Sequence, residues 1–418
     1  MAEGAQPSGG LIRSRGAIIG LLTGLNLFNY LDRYVVTAVS PRIQEAFRLS
    51  NLRTGLVLSA FMIGYFLTSP IFGTLGDRHR RRGLIFLGVA AWSIATAASG
   101  FATSFWQLLA ARVLVGVGEA SYATLAPTII GDLTTPQTRN RWLALFYGAI
   151  PVGSAAGYAA GGLLEKAFGD WRQVFYVAAG PGLALGIAML FVAEPPRAAS
   201  RPPPTGLASV RELFANPIWR AAVLGDVAFT FATGGFAAWA PNYLLSTLSM
   251  PLERADRWIG RILAIAGLVG TAFGGWLADK MTRGDPSRDA LRFCAIFTLP
   301  AVPFVLVCLL ASKPVGFFLA FCATGMLLFV STAPLGSALL GSVPLELRAQ
   351  GMALSIFATH LLGDLVSPPL IGLAADLAGD LRSALLVLIP GAIATSGMLW
   401  WWGSKSASLS PRFSASPE

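Results

Sequence analysis

The chain has few of the side chains on which enzymes and soluble domains depend. Only 12% of its 418 residues are charged, about half the fraction found in an ordinary soluble domain. It has two histidines and three cysteines, and Cys294, Cys308 and Cys322 show no metal-ligand spacing. No nucleophile–base motif, phosphate-binding loop or ATP-binding domain can be recognised. These absences argue against an enzyme, a metalloprotein and an ATP-driven pump, and we expect neither a cofactor nor a bound metal.

Long apolar runs fill the chain instead. Hydrophobic residues make up 54% of the sequence, and runs of the length that crosses a bilayer, about 20 residues, recur along it. The runs lie at 14–38, 53–75, 83–101, 105–131, 141–165, 172–193, 217–247, 257–280, 290–311, 314–342, 349–376 and 382–402. They predict an all-α membrane protein with twelve transmembrane helices.

The two halves of the chain repeat a motif. FGTLGD at Phe72–Asp77 follows the second run, and GGWLAD at Gly274–Asp279 follows the eighth. We therefore predict an N-terminal six-helix half over 1–193, a polar, proline-rich cytoplasmic linker over 194–216 and a C-terminal six-helix half over 217–418. Two such halves suggest alternating access around a central site, although a duplicated scaffold without transport is an alternative.

Glycines at short, regular spacing predict close helix packing. The fifth run contains Gly153, Gly157 and Gly161, and the eighth contains Gly267, Gly270 and Gly274. Small residues at such spacings let helix backbones approach each other. We expect these glycines to mediate contacts between the two halves.

The net charge of +10 is unevenly distributed. Basic residues concentrate in the predicted inner loops, most clearly at Arg78, Arg80, Arg81 and Arg82, which is the positive-inside bias of a protein with both termini in the cytoplasm. The absence of an Asn-X-Ser/Thr sequon and the excess of Arg over Lys favour a bacterial inner membrane. The expected partners are the bilayer, protons and a small molecule, and not nucleic acid. We expect a monomer.

Four ionisable residues interrupt the apolar runs. Asp32 and Arg33 lie in the first run, and Arg112 and Glu119 lie in the fourth. Charges at such positions are costly and indicate a functional site. Arg112 and Glu119 are two helical turns, or about 10 Å, apart on one helix face. Because the first span runs outward and the fourth runs inward, we expect Asp32, Arg33 and Arg112 at one depth and Glu119 nearer the midplane.

These side chains suit proton and anion binding. Burial favours a neutral carboxyl group and a nearby arginine favours the charged form, so Glu119 and Asp32 can take up and release a proton. A guanidinium matches a phosphate with two parallel hydrogen bonds, so Arg112 or Arg33 is expected to bind an anionic head group. An Asp32–Arg112 ion pair that only locks two helices is the structural alternative.

A further set of polar residues lies where the helices must move. Asp77 and Arg78 follow the second run, and an acidic side chain there can cap the helix that starts near Arg348. Arg139 holds the corresponding position to Arg348 in the first half. His360 and Asp364 share a helix face in the eleventh run, as a second protonatable pair or as a gate contact. We assign all six residues to gating.

Several motifs resemble a known family. FGTLGDRHRRR after the second run is similar to a conserved loop of the major facilitator superfamily. NYLDRY, VGVGEASYATLAPTIIGDL, FYGAIPVGS and HLLGDLVSPPLIG resemble the Spinster family within it. The resemblance implies export or recycling of sphingosine-1-phosphate and lysophospholipids. It also implies that carboxylates at positions 32 and 119 matter for proton coupling.

Together these features predict a proton-coupled secondary transporter of anionic amphiphilic lipids that works by alternating access. A proton-driven multidrug or small-organic-anion transporter of the same fold is the alternative, and a non-transporting membrane sensor is a remote one. The Phe, Trp and Met residues of the seventh and tenth runs suit an acyl tail, or else ordinary packing. The predicted substrate-binding residues are Arg112, Arg33, Tyr122, Thr230, Thr233 and Trp239.

Overall fold

The computed structural model describes residues 10–195, 207–344 and 347–406. In these ranges the backbone is almost entirely helical, and Ile12 and Val192 form a parallel bridge. Ten helices, counted over the described residues, are long and apolar enough to cross a membrane. The two other membrane-length helices are 24 and 19 residues long and start at Arg15 and Trp171. The predicted all-α, twelve-helix membrane fold is confirmed.

Six membrane-length elements form the first half of the chain. They are α1 (Arg15–Ala38), α3 with α4 (Asn51–Ser59 and Phe61–Arg78), α5 (Arg81–Phe101), α6 (Phe105–Leu133), α7 (Pro136–Phe168) and α8 (Trp171–Met189). The short helix α2 (Ser40–Phe47) joins the first two. We call the membrane face at which α1 begins the near face, and the opposite one the far face.

Six more elements form the second half. They are α10 (Pro217–Leu248), α11 with α12 (Leu252–Ile265 and Thr271–Met281), α13 with α14 (Pro286–Thr298 and Ala301–Leu310), α15 with α16 (Pro314–Phe329 and Thr332–Gly341), α17 with α18 (Arg348–Thr359 and Ser367–Ala378) and α19 (Leu381–Lys405). The π-helical turns Ala266–Gly270 and His360–Asp364 join α11 to α12 and α17 to α18. Helix α9 (Leu207–Ala215) lies within the predicted linker, of which residues 196–206 are outside the described ranges.

The predicted glycine contacts form, but inside each half. Gly153 and Gly157 of α7 lie so close to the carbonyls of Leu27 and Leu31 in α1 that a Cβ at either glycine would clash. In the second half, Gly270 and Gly274 pack against Phe329 and Val330 at the end of α15. The expectation that these glycines join the halves is therefore wrong, because the face of α7 that carries them is turned toward α1. A different face of α7, at Ala155 and Gly162, contacts α11.

The chain packs into two compact units that do not follow chain order. The first comprises the described residues up to Ser200, together with 238–264 and 368–381. The second comprises the described residues of 201–237, 265–367 and 382–418. Each has its own buried apolar core, around Trp92 and Tyr122 in the first and around Trp219 and Trp400 in the second. The first unit thus includes the far-face ends of α10, α11 and α18. The division predicted at 194–216 stays a prediction.

Candidate functional site

Four charged side chains meet inside the first unit, on α1 and α6. Asp32 and Glu119 are each 1% exposed and Arg112 is fully buried. The Arg33 side chain is 17% exposed. Because the surrounding helices are apolar, each of these charges must be compensated by a neighbour, by a proton or by a bound molecule.

Arg33 and Glu119 compensate each other. Nη2 of Arg33 donates to Oε2 of Glu119 at 2.8 Å. The guanidinium also lies over the rings of Tyr30 and Phe61, 4.7 Å and 4.4 Å from their centroids. This stacking holds the arginine in one place. The sequence analysis did not predict this pairing, and the expected depths of the two residues stay a prediction.

Arg112 is different, since its charge has no direct partner. None of its three guanidinium nitrogens has a hydrogen-bond partner among the described residues. The ion pair with Asp32, which was the structural alternative, does not form: the carboxyl oxygens of Asp32 lie near the indole of Trp92 and accept no hydrogen bond of good geometry. Arg112 is near enough to both Asp32 and Glu119 to interact with them electrostatically. The site therefore contains a buried guanidinium whose donors are available.

Helices α1 and α5 carry further buried polar atoms that the sequence analysis did not identify. Nδ2 of Asn29, Nε1 of Trp92, Oγ of Ser93 and Oγ1 of Thr96 are buried, and none has a hydrogen-bond partner among the described residues. Buried polar groups without partners are uncommon and need an explanation. Neutral side chains in apolar runs carry no charge signal, which is why the sequence did not single them out.

The other predicted substrate-binding residues are mostly engaged within the helices. The Tyr122 hydroxyl donates to the carbonyl of Leu22, and the fully buried Trp239 donates from Nε1 to the carbonyl of Pro368 at 3.0 Å. Thr233 donates to the carbonyl of Phe229 one turn before it. Thr230 lies half-buried on α10, where Gly363 approaches its side chain. A substrate role for these four residues stays a prediction.

The second unit has a polar cluster of its own. Nδ1 of His360 and Oδ2 of Asp364 are 2.6 Å apart across the π-helical turn, as their spacing suggested. The hydroxyl of Thr359 donates to Oδ2 of Asp226 on α10 at 3.1 Å. Asp226 was missed, although a carboxylate inside the seventh apolar run was the signal that could have identified it.

The predicted near-face gating residues lie at helix ends. Asp77 and Arg78 are in the last turn of α4, and Arg348 begins α17 with its Nε buried and unpartnered among the described residues. Arg139 donates to the carbonyl of Gly131 at 3.1 Å. The predicted cap on the start of α17 by Asp77 stays a prediction.

Arg81 is a near-face residue whose role the sequence did not indicate. Its buried guanidinium pairs with Asp132 at 2.6 Å and with Glu194 at 3.3 Å. These bonds tie α5 to α6 and to the segment after α8. Arg81 therefore has a structural role, although the sequence analysis interpreted it as one of the basic residues of an inner loop.

At the far face, second-half helix ends bind to first-half helices within the first unit. Oδ1 of Asp376 on α18 accepts from the backbone N–H and the side chain of Asn51, and its Oδ2 accepts from the N–H of Leu52, all at 2.9 Å. Asn242 of α10 accepts a hydrogen bond from Ser40 and donates one to Gln44. These bonds join the far ends of the two halves, which an alternating-access cycle must separate.

Comparison with known proteins agrees with the motifs and the site. A family model described as the Major Facilitator Superfamily matches residues 22–368. Protein spinster homolog 1 of Homo sapiens is 38% identical over 400 residues, covering 90% of this chain and 76% of that protein. The sphingosine-1-phosphate transporter SPNS2 of Danio rerio is 34% identical over 391 residues, covering 88% and 77%.

Solved structures share the fold. A bacterial homolog to the human lysosomal transporter Spinster, crystallised in an inward-facing and unoccupied conformation, has a TM-score of 0.78 at 22% identity and covers 96% of this chain and 98% of that chain. A D-xylose–proton symporter has a TM-score of 0.73 at 17% identity, covering 92% and 97%. Because the chain matches transport families, the prediction that it is not an enzyme is confirmed. The chain belongs to the Spinster family of the major facilitator superfamily and is a multi-pass membrane protein that acts as a secondary transporter.

Proposed function

We propose that the chain is a proton-coupled transporter of anionic amphiphilic lipids, such as lysophospholipids or sphingosine-1-phosphate, that works by alternating access. Glu119 is the main proton carrier in this proposal, and Asp32 is coupled to it. Arg112 binds the anionic head group. The observation that carries the proposal is the buried cluster on α1 and α6, in which Arg33 pairs with Glu119 and the Arg112 guanidinium has no direct partner.

The pairing suggests how binding of the proton favours binding of the substrate. While Glu119 is ionised, it holds Arg33 at 2.8 Å. When Glu119 takes up a proton it loses its charge, and the Arg33 guanidinium is then free to join Arg112 in binding an anion. Two guanidinium groups offer a phosphate several charge-assisted hydrogen bonds, which are roughly twice as strong as neutral ones. Release of the head group and loss of the proton restore the Arg33–Glu119 pair.

The choice of a lipid substrate draws on the relatives. One protein that is 34% identical to the chain is named a sphingosine-1-phosphate transporter. The structure adds a limit to the predicted tail site, because Phe236, Phe317 and Phe321 of the second half pack against one another with ring centroids 5.4–6.3 Å apart. These three rings are engaged in packing, so we assign no acyl tail to them.

We also propose that the chain lies in a bacterial inner membrane as a monomer. Its near face would then be on the cytoplasmic side. Arg78 and Arg80 are exposed at the near-face ends of α4 and α5, where Arg82 is half-buried. Basic residues on cytoplasmic loops set the orientation of membrane proteins. A cysteine placed at Arg80 should react with a permeant thiol reagent in whole cells and resist an impermeant one.

The substrate class can be tested with the purified protein in liposomes. We expect uptake of a labelled lysophospholipid or sphingosine-1-phosphate under a pH gradient, and no uptake of a cationic dye. Arg112→Lys keeps the charge but loses the bidentate geometry, so lipid uptake should fall at least about tenfold. Arg254→Lys, on the exposed far-face surface, is the matched control and should leave uptake unchanged. Dye transport without lipid transport would favour the multidrug alternative, and full activity of Arg112→Lys would exclude bidentate binding by that residue.

A further inference from the structure

Besides Asp32 and Glu119, another carboxyl group is buried in the first unit. It lies where the far ends of the two halves meet, away from the cluster on α1 and α6. Asp256 lies in the second turn of α11 and is fully buried. Neither of its carboxyl oxygens has a hydrogen-bond partner among the described residues. It packs directly against Gly162 of α7, where an added Cβ would lie 2.8 Å from Oδ2 of Asp256. Asp256 and Gly162 both belong to the first unit. In an alternating-access cycle, opening of the far face would break this contact.

The cations near Asp256 are already paired with other carboxylates. On α7, Glu165 binds Arg42 at 2.8 Å and Lys166 binds Glu253 at 2.6 Å. On α11, Arg257 also pairs with Glu253. The titratable groups of α7 that interact electrostatically with Asp256 are Glu165 and Tyr158. The Glu165 carboxylate opposes a second negative charge there, and the Tyr158 phenol carries no charge at neutral pH. Among the described residues, Asp256 forms neither a hydrogen bond nor a salt bridge, so no paired cation compensates its charge if it ionises.

An ionised carboxylate without a partner is among the most unfavourable groups to bury in a protein. With the far face closed, the carboxyl group is therefore protonated. When α11 separates from α7, water reaches the group and it ionises as an ordinary aspartic acid does. The O–H bond then breaks, the electron pair stays on the carboxylate and the proton passes to water at the far face.

We propose that Asp256 is a second proton-binding site, which holds its proton while the far face is closed and releases it when that face opens. The inference rests on the proposed alternating access, but it does not require Glu119 to carry the coupled proton. A rise in pH at the far face should favour the open form, and acid should favour the closed form. One linked proton changes the ratio of open to closed protein by at most about tenfold per pH unit.

The test is a distance measurement across the far face in full-length protein reconstituted in nanodiscs. Spin labels at Glu45 of α2 and Ser246 of α10, both exposed, report the separation of the halves in a background where Cys294, Cys308 and Cys322 are alanine. We expect the fraction of the unmodified protein that is open at the far face to rise with pH. Asp256→Asn should abolish this dependence and hold the far face closed. Glu165→Gln, which removes the neighbouring carboxylate that is paired with Arg42, should keep the dependence.

Two further measurements separate this proposal from the proposed function. In Glu119→Gln, the pH dependence of the spin-label distance should remain. If the pH dependence is lost in Glu119→Gln and persists in Asp256→Asn, the assignment to Asp256 is overturned, while the role of Glu119 stands. Infrared difference spectroscopy should show a protonated carboxylic acid at neutral pH that is missing from Asp256→Asn. A carboxylate band in its place would show that Asp256 is ionised when buried, and would overturn the proposal even if the variant were poorly folded.

Discussion

The Arg33–Glu119 pair is the best-defined contact of the proposed transport site. Its two side chains come from different helices, and the Glu119 carboxylate is almost completely shielded from solvent. Removing one partner of such a pair leaves an uncompensated buried charge, whereas removing both leaves a merely less polar site. The stability of the protein should therefore depend on the two residues jointly.

A double-mutant cycle measures this dependence. Arg33→Ala should destabilise the protein by about 3–5 kcal/mol, because Glu119 then has no partner, and Arg33→Ala combined with Glu119→Gln should recover a large part of the loss. Thermal unfolding in detergent at neutral pH provides the readout. Arg288→Ala is the control: its half-exposed pair with Asp285 at 3.8 Å should contribute less than about 1 kcal/mol. Strictly additive effects of the two buried substitutions would show that the pair is not coupled.

At the scale of single residues, the sequence predicted which charges are buried but not how they pair. Arg112 and Glu119 were recognisable because charges in an apolar run are rare. The partner of each could not be predicted, since neighbours on a helix point about 100° apart and the rotation of α1 relative to α6 is set by packing. Asp256 was missed for another reason: α11 begins at Leu252, and the apolar run begins only at 257, so Asp256 was taken for a loop residue.

Among the helices, α1 and α7 show how glycine spacing determines packing. Gly157 lies against the backbone of Leu31, whereas Gly148, earlier in the same helix, has open space where a Cβ would stand. Alanine stabilises a helix interior relative to glycine by about 1 kcal/mol when nothing obstructs it. Substitution by alanine should therefore lower the stability of the protein at Gly157 and raise it slightly at Gly148.

We expect Gly157→Ala to destabilise the protein by about 1–3 kcal/mol through overpacking, and Gly148→Ala to leave it unchanged or slightly stabilised. Unfolding temperatures of the two purified variants give the comparison. Equal unfolding temperatures for the two variants would mean that α1 can shift away from α7 at little cost.

The far-face bonds of Asp376 are a second feature that belongs to whole helices. This carboxylate on α18 satisfies two free N–H groups at the start of α3, which is the role of an N-terminal cap supplied from the other half of the chain. Asp170 performs the same role for α8, but from the adjacent residue in its own half, with a bond of 3.0 Å to the N–H of Arg172. The Asp376 cap joins the two halves, whereas the Asp170 cap does not.

Asp376→Ala should therefore open the far face, whereas Asp170→Ala should not. Replacing a capping residue by alanine costs about 0.5–2 kcal/mol, so the ratio of open to closed protein should rise about two- to thirtyfold. The distance between spin labels at Glu45 and Ser246 reports this ratio. An unchanged distance distribution in Asp376→Ala would show that this cap does not hold the far face closed.

For the molecule as a whole, the repeated motifs predicted a twelve-helix transporter, and the relatives confirm the family. The division of the chain into two compact units could not be predicted from the repeated motifs. The far-face ends of α10, α11 and α18 pack with the first half because Asn242, Asp256 and Asp376 contact residues of that half. These neighbours are distant in sequence, and no periodicity of one helix indicates which other helix it will contact.

The central proposal for the whole transporter is that Glu119 couples the proton gradient to lipid movement. A neutral residue at position 119 removes the coupled proton but leaves the arginines able to bind an anion. Such a variant should still exchange labelled for unlabelled lipid across a membrane, and it should no longer accumulate lipid against a gradient. Glu45→Gln, a change of the same kind on the exposed far-face surface, should behave as the unmodified protein.

The most direct test is lysophospholipid accumulation by liposomes that contain the protein, measured with and without an imposed pH gradient. The unmodified protein and Glu45→Gln are expected to accumulate the lipid only when the gradient is present. Glu119→Gln is expected to show the same low level in both conditions while its lipid exchange continues. Gradient-driven accumulation by Glu119→Gln at the level of the unmodified protein would contradict the proposal.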